Sequence, residues 1–104
     1  MPKVRILEAA ADEATEAAVR YEKQQVGLGA DFERAVEDAL DLLEGSFVPL
    51  VTMPRKAGSR GAKRLILKRF PFDLVVKEES DEIIVIAIAH HARRPGYWRD
   101  RIDT

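Results

Sequence analysis

Cysteine is absent from the chain. That excludes a disulfide framework, zinc held through sulfur and a cysteine nucleophile, and it agrees with a reducing compartment. Long apolar runs are absent as well. Those present fall far short of the ~20 residues that cross a bilayer, and Met1, Pro2, Lys3, Val4 and Arg5 are not followed by the apolar segment of a signal peptide. A soluble, cytoplasmic protein with no membrane partner is expected. Histidine is limited to two neighbours, His90 and His91. Without a spaced third ligand they do not build a metal site, so neither a metal nor a cofactor is expected. Internal repeats and low-complexity segments are missing too.

What is present describes a globular chain. Its 104 residues suffice for one domain with a real core, spanning 1–104, and 46% hydrophobic with 34% charged residues lie away from the composition of disordered chains. The net charge of -1 conceals a division. Residues 1–52 hold 5 Lys+Arg against 11 Asp+Glu, a net of -6, whereas residues 53–104 hold 12 against 7, a net of +5. Arg55, Lys56, Arg60, Lys63, Arg64, Lys68 and Arg69 follow one another with no acidic residue between them. Such a run is either a solvated face or a surface that binds phosphate or RNA.

Hydrophobic periodicity sets the order of elements. Val4 and Ile6 alternate with Lys3 and Arg5 in a first strand over 3–8. Ala10, Ala14, Ala17, Ala18 and Tyr21 then recur at helical spacing, and the first helix is expected to end near Val26. Asp31 is the expected N-cap of a second helix with Phe32, Val36, Ala39, Leu40 and Leu43 as its apolar stripe and Gly45 as its stop. Residues 46–62 contain Pro49, Pro54, Gly58 and Gly61 and read mostly as loop. Strands follow over 64–70, 72–78 and 83–89, the first two separated at Pro71 and the last apolar on both faces. The expected fold is α+β, ordered β-α-α-β-β-β, with a helical hairpin packed on a mainly antiparallel four-stranded sheet.

Chemistry collects where the last strand stops. His90 and His91 point to opposite faces if the strand continues, so at most one of them addresses a given ligand. A strand-end histidine can simply bond backbone, and it can also carry protons near neutral pH. Arg93, Arg94, Arg99 and Arg101 surround Tyr97 and Trp98. Trp98 reads as a buried anchor, and Arg94 as a partner of Arg64 and Lys68 in chelating phosphate oxygens. Tyr97 would join as a proton carrier if neighbouring cations lowered its pKa. These groups permit metal-independent RNA cleavage, in which a 2'-hydroxyl attacks the adjacent phosphate. Arginine stays protonated, so the proton carriers would be His90, His91 or Tyr97, with Arg64, Lys68 and Arg94 stabilising charge. Arg55, Lys56, Arg60, Lys63, Arg69 and Arg93 would hold the RNA. The same residues also serve binding without catalysis.

Residues 64–72 (RLILKRFPF), the strand over 83–89, and His90, Arg93, Arg94, Pro95, Tyr97, Trp98 and Arg101 resemble the C-terminal half of RelE/ParE superfamily toxins. Residues 27–32 (GLGADF) before the second helix resemble that family too, so the likeness extends over nearly the whole chain. The resemblance implies the toxin of a bacterial type II toxin–antitoxin system, held inactive by a cognate antitoxin. It also implies two targets. RelE-like members cleave mRNA in the ribosome, whereas ParE-like members inhibit DNA gyrase without being nucleases; a non-toxic RelE-like binding module is the third alternative. The basic run with Arg64 and Arg94 is similar to the RNA-cleaving branch.

Overall fold

The computed structural model describes residues 3–45, 50–52 and 61–102. In chain order these form β1 (Lys3–Ile6), α1 (Glu8–Gln24), α2 (Leu28–Gly45), β2 (Val51–Thr52), β3 (Lys63–Ile66), β4 (Phe72–Glu78), β5 (Glu82–His90) and a 3-10 turn (Arg99–Arg101). The sheet order is β1-β5-β4-β3-β2. β3, β4 and β5 make the expected antiparallel meander, and β1 joins its far side parallel to β5. The α+β architecture is as expected, with one addition. Within the stretch read as loop, Val51 and Thr52 pair with Arg64 and Lys63 as a two-residue edge strand.

The helical hairpin begins earlier than the sequence suggests. Asp31 was the expected cap of α2, yet the helix starts at Leu28 because Glu22 of α1 reaches across the link. Its Oε2 accepts from the Gly27 N–H at 2.9 Å and its Oε1 from the Gly29 N–H at 3.0 Å. These bonds satisfy amides that a helix N-terminus otherwise leaves unpaired. Asp31 then falls in the first helical turn, where a carboxylate favours the dipole. The helices cross closely at this point. A methyl on Gly29 would come within 2.6 Å of the Ala18 carbonyl oxygen.

β3 is shorter than the strand read over 64–70, and burial explains why. Leu67 and Phe70 are both buried, three positions apart, which strand alternation cannot achieve. The chain turns at 68–71 instead, closed by the Phe72 N–H on the Phe70 carbonyl at 2.8 Å. That turn delivers Phe70 and Phe72 to Tyr21 and Phe32 of the helices, with ring centroids 4.9 to 6.2 Å apart. Edge and tilted contacts of this kind add to the area they bury.

Both sheet faces are covered. Leu65, Leu74, Val76, Ile83, Val85 and Ile88 lie under the helices, whereas Val75, Ile86, Ala87 and Ala89 face Trp98. A bulge makes this division. Val75 pairs with Ala87 but Val76 with Val85, so Ile86 has no partner on β4 and the alternation reverses beyond it. Among the described residues no helix is long and apolar enough to cross a membrane.

Because Phe32 is fully buried at the centre of the aromatic group, Phe32→Ala should destabilise the fold by about 3–5 kcal/mol. Urea unfolding followed by circular dichroism measures this; a loss under about 1 kcal/mol would remove the cluster as the helix-to-sheet anchor.

Candidate functional site

On the sheet face opposite the helices, the end of β5 and the segment after it form one wall of an open cleft of about 990 Å³. β3 contributes Arg64 and Ile66, β4 contributes Asp73 and Val75, and the wall brings His90, His91, Arg93, Arg94, Tyr97 and Arg99. The bulge determines which imidazole faces where. Its reversal puts His90 on the parity of Ile88, edge-on to Phe72 at 5.0 Å, while His91 reaches Asp73 on the other face. The two rings diverge, but β5 ends at His90 and His91 lies in the turn beyond it, so both line the cleft, contrary to the expectation that at most one addresses a given ligand.

Asp73 is the floor of the cleft and is 7% exposed. A buried carboxylate needs partners. It has two: His91 Nε2 stands 2.8 Å from Oδ1 and Arg64 Nη1 3.5 Å from Oδ2. Among the described residues, the Nε atoms of Arg64 and Arg99 are buried without a hydrogen-bond partner. Both residues line the cleft, although these two Nε atoms are themselves shut off from solvent. His90 Nδ1 accepts from the Ala92 N–H at 2.9 Å, and the His91 N–H donates to the Pro71 carbonyl at 2.8 Å, fixing the turn that bears both rings. Gly96, at φ 81°, lets the chain double back under Arg99, whose Nε a side chain there would meet at 2.8 Å. Trp98, 3% exposed, anchors that return, in agreement with its reading as an anchor.

Tyr97 departs from the expectation. Its hydroxyl donates to Glu13 Oε2 at 2.5 Å, and its ring lies beneath Arg93 at 4.0 Å and Arg101 at 5.3 Å. Burial raises the phenol's pKa, and the Glu13 bond raises it further, against the opposing pull of Arg101 and Arg93. The phenol therefore holds its proton more firmly than usual, the reverse of the lowering that a proton-accepting role needs.

Glu13 also accepts from Arg101 Nη1 at 2.9 Å and from the Ile88 N–H at 3.1 Å, while the same Nη1 donates to the Ile86 carbonyl at 3.1 Å. Glu13 and His90 further line a smaller cavity of about 300 Å³ beside Glu16, Arg20 and Arg93. His90 and Arg93 belong to both openings.

Of the residues selected from the sequence, Arg64, His90, Arg93, Arg94 and Tyr97 come together here. Lys68 is exposed and does not line the cleft. Lys63 turns to Glu78 at 2.6 Å and Arg69 to Asp31 at 3.6 Å. Arg55, Lys56 and Arg60 lie outside the described residues. Asp73, Arg99 and Glu13 are additions that sequence reasoning missed. For Asp73 a signal existed, since it is the one charge in the otherwise apolar run 72–76. Among the described residues, no three His, Cys, Asp or Glu side chains gather as a metal site.

No family model matches the chain, and no curated protein matches it. A solved structure is similar, that of a chromosomal ParDE TA system from P. aeruginosa, with a TM-score of 0.61 over 86% of this chain and 96% of that chain at 18% identity. The chain therefore has a RelE/ParE-like fold.

Removal of the Tyr97 hydroxyl tests its structural role. Tyr97→Phe should lower stability by about 1–3 kcal/mol, the usual value of a hydrogen bond to a charged group. The raised folded-state pKa makes this stability fully present below pH ~10 and lost as pH climbs above it. Denaturation from pH 8 to 11 measures both; a wild-type curve no steeper than that of Tyr97→Phe in the alkaline range would refute the assignment.

Proposed function

We propose that this chain is the toxin of a type II toxin–antitoxin pair, restrained by a cognate antitoxin, and that it arrests growth by metal-independent cleavage of translated mRNA. The observation that carries the reading is the cleft, whose lining includes Arg64, Arg93, Arg94 and Arg99 together with His90 and His91. Guanidiniums suit phosphate oxygens geometrically, and an imidazole beside them can move the proton that phosphodiester cleavage requires. Supporting it further, Arg93 and Arg94 are exposed in the cleft wall, where their guanidiniums can meet an anion.

The chemistry follows from these positions. A ribose 2'-hydroxyl loses its proton to an imidazole and bonds to phosphorus, the bond to the 5'-oxygen breaks, and the arginines stabilise the added charge. Lys68, outside the cleft, has no part in this version of the step.

A second reading, inhibition of DNA gyrase by protein contact, is favoured by the structural likeness to a ParDE system. The two readings separate in one experiment. The chain is induced without its antitoxin, mRNA 5' ends are mapped, and DNA supercoiling is assayed. Cleavage clustered within translated codons supports the nuclease; gyrase-linked DNA breaks with intact mRNA would replace it with the second reading.

Arg94→Ala should reduce cleavage by about 100- to 1000-fold, as loss of a transition-state charge donor does, because Arg94 is exposed in the cleft wall. The fold and antitoxin binding should remain intact. A soluble Arg94→Ala chain that still arrests growth would take Arg94 out of the site.

A further inference from the structure

The two imidazoles are adjacent in sequence, and their hydrogen bonds make them chemically unlike. His91 turns Nε2 to the buried Asp73, 2.8 Å away. A carboxylate can only accept, so Nε2 carries the proton of the neutral ring and Nδ1 keeps a bare lone pair. Half of His91 remains open, with 44% of its side chain exposed in the cleft. His90 is arranged the other way. Its Nδ1 already accepts the Ala92 N–H at 2.9 Å, which leaves the neutral ring presenting Nε2–H. One imidazole offers a proton acceptor and its neighbour a donor.

We infer that His91, not His90, is the general base of the cleft, acting through Nδ1, and that Asp73 is its positioning residue. The inference rests on the nuclease reading and specifies its base. The carboxylate holds the ring in one tautomer and faces the charge the ring gains when it takes a proton. Arg64 ties the other carboxylate oxygen, so Asp73 is fixed from β3 as well as from the turn. The step balances simply. The 2'-hydroxyl proton passes to His91 Nδ1 as the 2'-oxygen bonds to phosphorus; the 5'-oxygen leaves with the electron pair of its broken bond and takes a proton from water. His91 then returns its proton to the hydroxide so formed. His90, which lines both openings with Arg93, would bind a phosphate oxygen through its Nε2–H.

The groups that line the cleft with His91 are Asp73 from β4, Arg64 from β3, His90 from β5 and Arg93, Arg94 and Arg99 from the segment beyond. The test uses the purified full chain with translating ribosomes on a defined mRNA, timed from pH 5.5 to 8.5, alongside nitrogen-15 NMR of the histidines. His91→Asn should lower kcat by about 100-fold or more, with KM little changed, and should abolish the acidic limb of the profile. Asp73→Asn should lower kcat about 10-fold and let the neutral proton of His91 move to Nδ1, seen in the same NMR spectra, because an amide can donate to Nε2 where a carboxylate cannot. In the wild-type chain, NMR should place the neutral proton of His91 on Nε2. His91→Asn cutting at the wild-type rate would overturn the base assignment alone. So would a wild-type His91 protonated on Nδ1, a reading that needs no variant to fold. Growth arrest by wild-type chain with no RNA cut would overturn the nuclease reading and the base role with it.

Discussion

Everything on the cleft side of the sheet depends on one ion pair at an unfinished strand edge. β1 has only four residues and accompanies β5 no farther than Val85. Beyond that point β5 would expose its Ile86 carbonyl and Ile88 N–H on that side, and unpaired backbone groups are costly when buried. Glu13 of α1 takes the N–H and Arg101 takes the carbonyl, while the two side chains bond each other. Their pairing raises the Arg101 pKa against the lowering that burial imposes. A carboxylate and a guanidinium thereby stand in for two residues of strand. The substitution also ties three distant parts together: a helix, the central strand and the segment that forms the cleft wall.

The bulge at Ile86 is the second constraint, and it acts through parity. Without the extra residue, Ala87 would turn to the helices and His91 would leave Asp73 for the opposite face. The core on each side would also change composition, since Ile88 fills the helix side and Ile86 the Trp98 side. Packing and chemistry are thus set by the same local irregularity. Bulges are over-represented near functional sites for this reason: they re-aim side chains without moving the scaffold.

Much of this was legible from the residues, and what was hidden was hidden for physical reasons. The bounds of β4 followed from Pro71 at one end and the charged turn after Glu78 at the other. The meander and the helical hairpin followed from periodicity, and the RelE/ParE likeness agrees with the fold found. Opposite orientations for His90 and His91 needed only their adjacency. Charge along the chain was a poorer guide. Lys63 and Arg69 belong to the basic run, but their partners, Glu78 and Asp31, are brought to them by strand pairing and by the turn at Phe70. Tyr97 shows the same limit more sharply. Its neighbours in sequence are cations, whereas its proton is held by burial and by Glu13, far away in α1. Asp73 could be noticed as a lone charge in an apolar strand, yet its role needed the position of a histidine on the next strand.

The pairing of β1 with β5 has a consequence for how the molecule reaches its structure. Lys3 sits beside Glu82 and Ile6 beside Val85, so the first strand finds its place only after the last has formed. β4 and β5, by contrast, are joined by a short turn and close a local hairpin at little entropic cost. The hairpin is the natural early structure, and β1 with Glu13 is the late arrival that completes its edge. Contacts of such long range slow folding, and the cleft wall depends on them, because Glu13 bonds the Ile88 N–H, Tyr97 and Arg101 across the chain. The cleft wall is therefore secured by the strand pairing that spans the greatest length of chain.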